Sequence, residues 1–135
     1  MIKLIVGNKG SGKTKALIEM VNNASQTSKG NIICVEKGAK LTYDIKHTVR
    51  LVDIENYGIE GYDAFTGFIA GLYAGNYDLT EVFVDGILKI CGRDFDALGK
   101  MLEKIDPIVK AAESEIVFTI SADASEFPDS VKKFL

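Results

Sequence analysis

The sequence predicts a three-layer α/β domain with a five-stranded, mainly parallel sheet. Three observations lead to this fold class. Five short apolar runs have the length of buried strands, segments with helical apolar spacing lie between them, and no series of consecutive hairpins occurs. With 135 residues and 47% apolar content, we expect one domain, residues 1–135, with a sizeable core.

The chain begins with a predicted strand and helix. Residues 2–6 form an apolar run that suits a buried strand. After a glycine-rich stretch, apolar residues recur at helical spacing, namely Leu17, Met20, Val21 and Ala24. This order of elements, strand then loop then helix, is the setting in which phosphate-binding loops occur.

The loop itself fits the pattern G-x-x-x-x-G-K-[ST] with Gly7, Asn8, Lys9, Gly10, Ser11, Gly12, Lys13 and Thr14. Glycines allow the backbone to approach a polyphosphate closely and to adopt positive φ angles, so that N–H groups can surround it. We expect Lys13 to contact the β- and γ-phosphates and the Thr14 hydroxyl to bind Mg²⁺. The N-terminus of the following helix adds a positive field. The sequence therefore predicts a nucleoside triphosphate site.

Two further strands are predicted beyond a polar turn at residues 25–30. Residues 31–35 form an apolar, β-branched run that leads directly into Glu36, and residues 49–54 form another. Residues 39–48 are predicted to be loop. Because ligands bind at the carboxyl ends of strands in open α/β sheets, Glu36 is a candidate site residue.

A glycine-rich helix is predicted next, over residues 64–74 with Asp63 as its N-cap. Gly67, Gly71 and Gly75 recur every four residues, and each weakens a helix by about 1 kcal/mol relative to alanine. The pattern predicts close approach of this helix to the sheet or to a partner subunit.

The fourth predicted strand, residues 81–84, is followed directly by Asp85. An apolar strand that ends in an acid is the Walker B pattern, in which the carboxylate holds the Mg²⁺ shell. Together with the upstream loop, it makes Thr14 and Asp85 the predicted metal-binding residues.

The last third of the chain predicts helix, strand and a short terminal helix. Asp94 or Asp96 is expected to cap a helix whose core-facing stripe is Leu98, Met101, Leu102 and Ile105. Pro107 predicts a break, with a new helical segment from residue 108. Residues 115–120 form the fifth strand, which ends at Ser121, and Pro128 is suited to open a short helix.

Composition excludes several classes of protein. The formal net charge of −3 disfavours nucleic acid as the main partner, since nucleic-acid-binding proteins usually carry a basic stripe. Two cysteines do not make a disulfide framework or a zinc site, which favours a reducing, cytoplasmic setting. No apolar run approaches the ~20 residues of a membrane span, so we expect a soluble protein.

With these residues placed, the chain resembles the P-loop NTPases, and most of all their RecA-like, additional-strand branch. The resemblance rests on GNKGSGKT (residues 7–14), on EVFVD (residues 81–85) and on the order of elements. It implies the strand order 3-2-4-5-1, a water-activating role for Glu36 in NIICVE, and γ-phosphate sensing by Ser121 in VFTIS. Many relatives carry glutamate directly after the Walker B aspartate, but here Gly86 follows Asp85. Hydrolysis must then rely on Glu36 or be slow.

The leading hypothesis is an ATP-binding protein with slow, Mg²⁺-dependent hydrolysis, in which Lys13, Glu36 and Asp85 are the catalytic residues. The guanine-specific signature N/T-K-x-D is absent, which favours ATP over GTP. Arg50 and Arg93 are either surface charges or arginine fingers supplied in trans within a homo-oligomer. Two alternatives remain: a small-molecule kinase, although only two arginines and no insert are present, and a non-enzymatic module that presents a protein partner with a nucleotide-dependent face.

Overall fold

The computed structural model describes residues 1–135 and contains a five-stranded sheet between two layers of helices. The strands are β1 (Ile2–Gly7), β2 (Asn31–Glu36), β3 (Arg50–Asp53), β4 (Leu79–Val84) and β5 (Glu115–Ser121). The helices are α1 (Lys13–Thr27), α2 (Gly61–Gly75), α3 (Ile87–Cys91), α4 (Phe95–Ala111) and α5 (Asp129–Lys132). Short 3₁₀ turns occupy residues 54–57 and 124–126.

All neighbouring strands in the sheet are parallel, which confirms the predicted α/β class. The order across the sheet is β1-β5-β4-β2-β3. Read from the β3 edge, this is 3-2-4-5-1, the order that the family resemblance implied. In a parallel sheet the carboxyl ends of all strands lie at one edge. The ends of β1 and β5 are paired there, with Gly7 opposite Ser121.

The two faces of the sheet are covered by different helices. On one face Leu17 and Val21 of α1 pack with Cys34, Phe83 and Val117. The opposite face belongs to the larger cluster, which is supplied by α2, α4, α3 and α5 and includes Phe65, Ile69, Leu102, Ile105, Phe118 and Val131. Successive strand residues alternate between the two clusters, as the period of two in a strand requires. The architecture is therefore a three-layer sandwich.

Helix α4 is continuous through Pro107, so the predicted break at this residue is wrong. Proline removes the hydrogen bond to the carbonyl group four residues earlier, that of Glu103. Both Pro107 and Glu103 lie on the exposed side of the helix, where water can reach that carbonyl. Ile105 and Val109 are fully buried on the opposite side and hold the helix against the core on either side of the proline.

Several other boundaries differ from the predictions. Helix α1 extends to Thr27, over part of the predicted turn. Helix α2 begins at Gly61, which places Asp63 in its first turn rather than at its N-cap. Asp94 caps α4 by accepting a 3.1 Å hydrogen bond from Ala97 N. The five-residue helix α3 was not predicted. The short helix after Pro128 is confirmed as α5.

The glycines of α2 face open space rather than the sheet. A Cβ atom built on Gly67, Gly71 or Gly75 would meet no atom within 4 Å. The predicted close approach of this helix to its own sheet is therefore wrong. A partner subunit on this face stays a prediction.

Replacing Gly71 with alanine is expected to raise the free energy of unfolding by about 1 kcal/mol, because alanine has the higher helix propensity and its methyl group has room. Urea denaturation measures the change. Gly99→Ala in α4 is the matched control and should destabilise the protein, since its Cβ would lie 2.1 Å from Ser130 Oγ. A loss of stability in Gly71→Ala would show that another surface covers this face in solution.

Candidate functional site

The loop between β1 and α1 uses its glycines in two different ways. Gly10 and Gly12 have φ angles of 84° and 87°, which L-residues with a side chain rarely adopt. Gly7 does not have a positive φ angle. A Cβ on Gly7 would lie 2.5 Å from Ser11 Oγ, so glycine is needed there for close approach of the loop.

The loop presents a set of free backbone donors. Helix α1 begins at Lys13, and its N-cap residue, Gly12, offers no side-chain acceptor. No backbone carbonyl accepts a hydrogen bond from the N–H groups of Gly10, Gly12, Lys13, Thr14 or Lys15. Unpaired N–H groups at a helix N-terminus form an anion-binding site, and the helix dipole adds to the attraction.

Lys13 places a buried positive charge behind these donors. Its side chain folds back over the loop, where Nζ donates to the carbonyl oxygen of Asn8 at 3.0 Å and to Ser11 Oγ at 3.4 Å. The residue is only 8% exposed, and none of the ion pairs in the protein involves it. A buried ammonium group without a carboxylate partner is suited to receive an anionic ligand.

Thr14 and Asp85, the predicted metal-binding residues, lie together. Thr14 Oγ1 donates to the Asp85 carboxylate, at 3.2 Å from Oδ1 and 3.3 Å from Oδ2. The same carboxylate accepts a second hydroxyl, because Thr119 Oγ1 donates to Oδ1 at 2.8 Å. Thr119 in turn accepts from the N–H of Gly86 at 2.7 Å. The two hydroxyl groups thus hold Asp85 from two sides.

A polar cavity of about 350 Å³ opens at this edge of the sheet. None of its lining residues is hydrophobic; they are Lys9, Gly10, Gly12, Lys13, Thr14, Lys15, Asp85, Gly86, Lys89, Thr119 and Ser121. Four lysines therefore surround a single carboxylate in a protein whose formal net charge is −3. Walls with one dominant sign of charge concentrate ligands of the opposite sign.

Five of the eight predicted loop residues line this cavity, and two of the other three contact the Lys13 ammonium group. Gly7, Asn8 and Ser11 do not reach the cavity, but Asn8 and Ser11 hold the Lys13 ammonium group. Sequence reasoning missed Lys15, Gly86, Lys89 and Thr119. A signal for Thr119 was present, since it is a buried polar residue inside an otherwise apolar strand. Lys89 lies on α3, which no pattern predicted.

Glu36, the predicted water-activating acid, lies outside the cavity lining. It is 3% exposed, and its two carboxylate oxygens accept backbone hydrogen bonds from Lys40 N at 3.2 Å and Leu41 N at 3.0 Å. These bonds anchor the loop of residues 37–49, whose Leu41, Ile45 and Val49 pack in the cluster under α1. The geometry favours an anchoring role, and the catalytic role stays a prediction.

Burial raises the pKa of Glu36 above its ordinary value of 4.5. The N–H groups of Leu41 and Lys40 oppose this shift, while the carboxylates of Asp85 and Asp53 add to it. An acid whose pKa is higher in the folded state favours folding when it is protonated, and this contribution is lost as the pH rises through the folded pKa.

We therefore expect wild type to gain stability relative to Glu36→Gln as the pH falls from 7 toward 4.5, because only wild type can take up a proton at this position. Urea denaturation of both proteins at matched pH values gives the difference in free energy of unfolding. A difference that stays constant over this range would contradict the raised pKa.

The two arginines do not line the cavity. Arg50 begins β3, at the amino edge of the sheet, and donates to the hydroxyl of Tyr57 at 3.1 Å. Arg93 lies at the carboxyl edge, where it donates to the Ser121 carbonyl at 3.2 Å and pairs with Glu126 at 3.1 Å. Neither guanidinium group lines the cavity of its own chain, although Arg93 bonds the backbone of the cavity-lining Ser121, and a role in trans stays a prediction.

Neither cysteine is part of the site or of a disulfide. Cys34 and Cys91 are free thiols. Burial raises the pKa of each to about 12, so both are protonated at neutral pH.

None of the helices has the length and hydrophobicity that are needed to span a membrane.

The donor set at Thr14 and Asp85 fits Mg²⁺. This ion takes oxygen ligands, keeps several waters, and in nucleotide sites is bound by one or two protein groups together with substrate phosphates. One hydroxyl and one carboxylate within 3.3 Å of each other, beside the free loop amides, match that pattern. No cluster of three or more His, Cys, Asp or Glu side chains offers a metal a site made by protein groups alone.

Comparisons of the sequence with known protein families find no match, and no curated protein is significantly similar to this chain.

Proposed function

We propose that the protein binds ATP with Mg²⁺ in the cavity at the carboxyl edge of the sheet and hydrolyses it slowly. The observation that carries the proposal is the combination in one cavity of free loop amides, four lysines and the Thr14–Asp85 pair. A lysine-lined cavity alone suits any anion. The added hydroxyl–carboxylate pair favours a polyphosphate that carries a divalent cation.

Each group has a distinct role in this proposal. The free N–H groups of the loop, those of Gly10, Gly12, Lys13, Thr14 and Lys15, and the Lys13 ammonium bind the phosphate chain and stabilise negative charge on it. Thr14 and Asp85 hold Mg²⁺, which when bound neutralises charge on the phosphate oxygens. Ser121, which lines the cavity, would contact the terminal phosphate.

The positions of the carboxylates support the proposal that hydrolysis is slow. Asp85 is the single acid in the cavity lining, and its oxygens are already engaged by Thr14 and Thr119. The next residue, Gly86, has no side chain that could orient water. Glu36 would have to release the N–H groups of Lys40 and Leu41 to reach a ligand in the cavity. This arrangement also supports the alternative of a nucleotide-responsive binding module without turnover.

Isothermal titration of the purified protein with ATP, ADP and GTP, each with and without Mg²⁺, tests binding. We expect ATP to bind, and Mg²⁺ to strengthen binding. Absence of binding by every nucleotide at millimolar concentration would overturn the proposal, and a clear preference for GTP would overturn the choice of base.

Phosphate release from ATP separates the slow enzyme from the binding module. Turnover above background in wild type that is lost in Lys13→Ala supports the enzyme, whereas binding without turnover supports the module. The variant Glu36→Gln tests the mechanism. Hydrolysis at the wild-type rate would show that Glu36 does not activate the attacking water. A large loss of hydrolysis in a stably folded variant would support that predicted role.

A further inference from the structure

We propose that Thr119 is a positioning residue that holds the Asp85 carboxylate in place for binding of the Mg²⁺–nucleotide complex. The inference rests on the proposed function and concerns the same cavity. Thr119 belongs to β5, and its hydroxyl bridges the Asp85 side chain and the backbone N–H of Gly86.

The direction of both hydrogen bonds follows from chemistry. A backbone N–H can only donate, so Gly86 N must give its hydrogen to Thr119 Oγ1 across 2.7 Å. An ionised carboxylate can only accept, so the single hydroxyl hydrogen of Thr119 must point to Asp85 Oδ1, at 2.8 Å. With its hydrogen committed, the hydroxyl group has one favoured orientation.

The position of Thr119 makes this bridge rigid. The residue is 2% exposed and belongs to β5, which lies between β1 and β4 in the sheet. Ile5 is its partner in register on β1. By contrast, the Thr14 hydroxyl reaches Asp85 from an exposed position over 3.2 and 3.3 Å. Thr119 is therefore the better-fixed of the two hydroxyl partners of Asp85.

The two hydroxyls have different relations to the metal. Thr14 and Asp85 are the groups that would hold Mg²⁺, so their mutual hydrogen bond competes with ligation. The bond from Thr119 does not compete with ligation by the second carboxylate oxygen, Oδ2, which accepts only from Thr14. A valine at position 119 would have a similar volume but would remove both the donor to Asp85 Oδ1 and the acceptor for Gly86 N.

The test compares Thr119→Val with Thr119→Ser by isothermal titration of ATP, first in EDTA and then over a series of Mg²⁺ concentrations. We expect Thr119→Val to bind ATP in EDTA within about 2-fold of wild type, because the loop amides and lysines are intact. The Mg²⁺ concentration that gives half of the enhancement should rise by about 10- to 100-fold, the usual effect of losing an outer-shell partner. Thr119→Ser, which keeps the hydroxyl, should stay close to wild type.

Controls separate this role from a structural one. Thr66→Val removes another buried hydroxyl, which donates to the Tyr62 carbonyl, and should leave the Mg²⁺ dependence unchanged. Thermal unfolding checks that each variant is folded, and Thr119→Ala provides a second hydroxyl-free variant if the valine does not fold.

Two outcomes would overturn the inference alone, provided that wild type binds ATP. One is an unchanged Mg²⁺ dependence in the hydroxyl-free variants. The other is equal impairment of Thr119→Ser and Thr119→Val, which would show that retaining the hydroxyl does not preserve the Mg²⁺ dependence. Failure of wild type to bind any nucleotide would instead overturn the proposed function and, with it, the role of Thr119.

Discussion

Replacement of Lys13 by alanine is expected to weaken ATP binding by about 100-fold, which corresponds to about 2.7 kcal/mol and lies within the range for hydrogen bonds to charged groups. Lys13 is a buried residue whose ammonium group donates to the loop at Asn8 O and Ser11 Oγ and has no carboxylate partner. Its removal takes away a positive charge that is hydrogen-bonded to the loop itself. Isothermal titration of wild type and variant with ATP and Mg²⁺ measures the ratio of dissociation constants.

Loss of binding must be separated from loss of folding. Because Lys13 is a buried charge without an opposite partner, its removal should leave the free energy of unfolding of the ligand-free protein unchanged or slightly higher. Lys100→Ala, at an exposed position on α4 outside the cavity, changes the net charge equally and should bind ATP like wild type. If both variants lost the same affinity, attraction would come from overall charge, and the loop would not be the binding site.

For Asp85→Asn we expect effects of opposite sign with and without Mg²⁺. In EDTA the variant should bind ATP about 5-fold more tightly, since loss of one negative charge near the phosphates relieves repulsion of about 1 kcal/mol. At saturating Mg²⁺ it should bind at least about 10-fold more weakly than wild type, because a neutral amide is a poor ligand for this ion. Asparagine keeps an oxygen that can accept from Thr14 and Thr119.

Asp63→Asn provides the matched control, because it removes one exposed acid on α2 outside the cavity. It should bind ATP like wild type in both conditions. If Asp85→Asn weakened binding equally in EDTA and in Mg²⁺, the carboxylate would act on the fold of the loop rather than on the metal, and the assignment of Asp85 would fail.

Local patterns in the sequence were sufficient to predict the strand ends, the loop and the helix that form the cavity. The spacing of Gly7, Gly12, Lys13 and Thr14 marks a turn that only glycines permit and that leads directly into a helix. The acid after a buried strand placed Asp85 at the carboxyl edge of the sheet. These inferences succeed because they depend on residues close together in the chain, where backbone geometry and side-chain type act directly on one another.

Local patterns gave wrong or missing predictions where contacts between residues far apart in the chain determine the structure. Pro107 breaks an isolated helix, yet α4 continues because Ile105 and Val109 are buried against the core. The glycines of α2 suggested close packing, but a Cβ atom built on Gly67, Gly71 or Gly75 would meet no atom of another element within 4 Å. Helix α3 is one short turn that contacts β5 and α2, and Lys89, which lines the cavity, lies on it.

The sequence by itself determined the α/β class, the glycine-rich loop between β1 and α1, and the meeting of Thr14 with Asp85. Only the tertiary structure decided that Thr119 holds Asp85, and that the oxygens of Glu36 are occupied by the N–H groups of Lys40 and Leu41. The physical reason is that hydrogen bonds of buried polar groups depend on which partners the sheet order brings within about 3 Å. Residue type alone does not specify those partners.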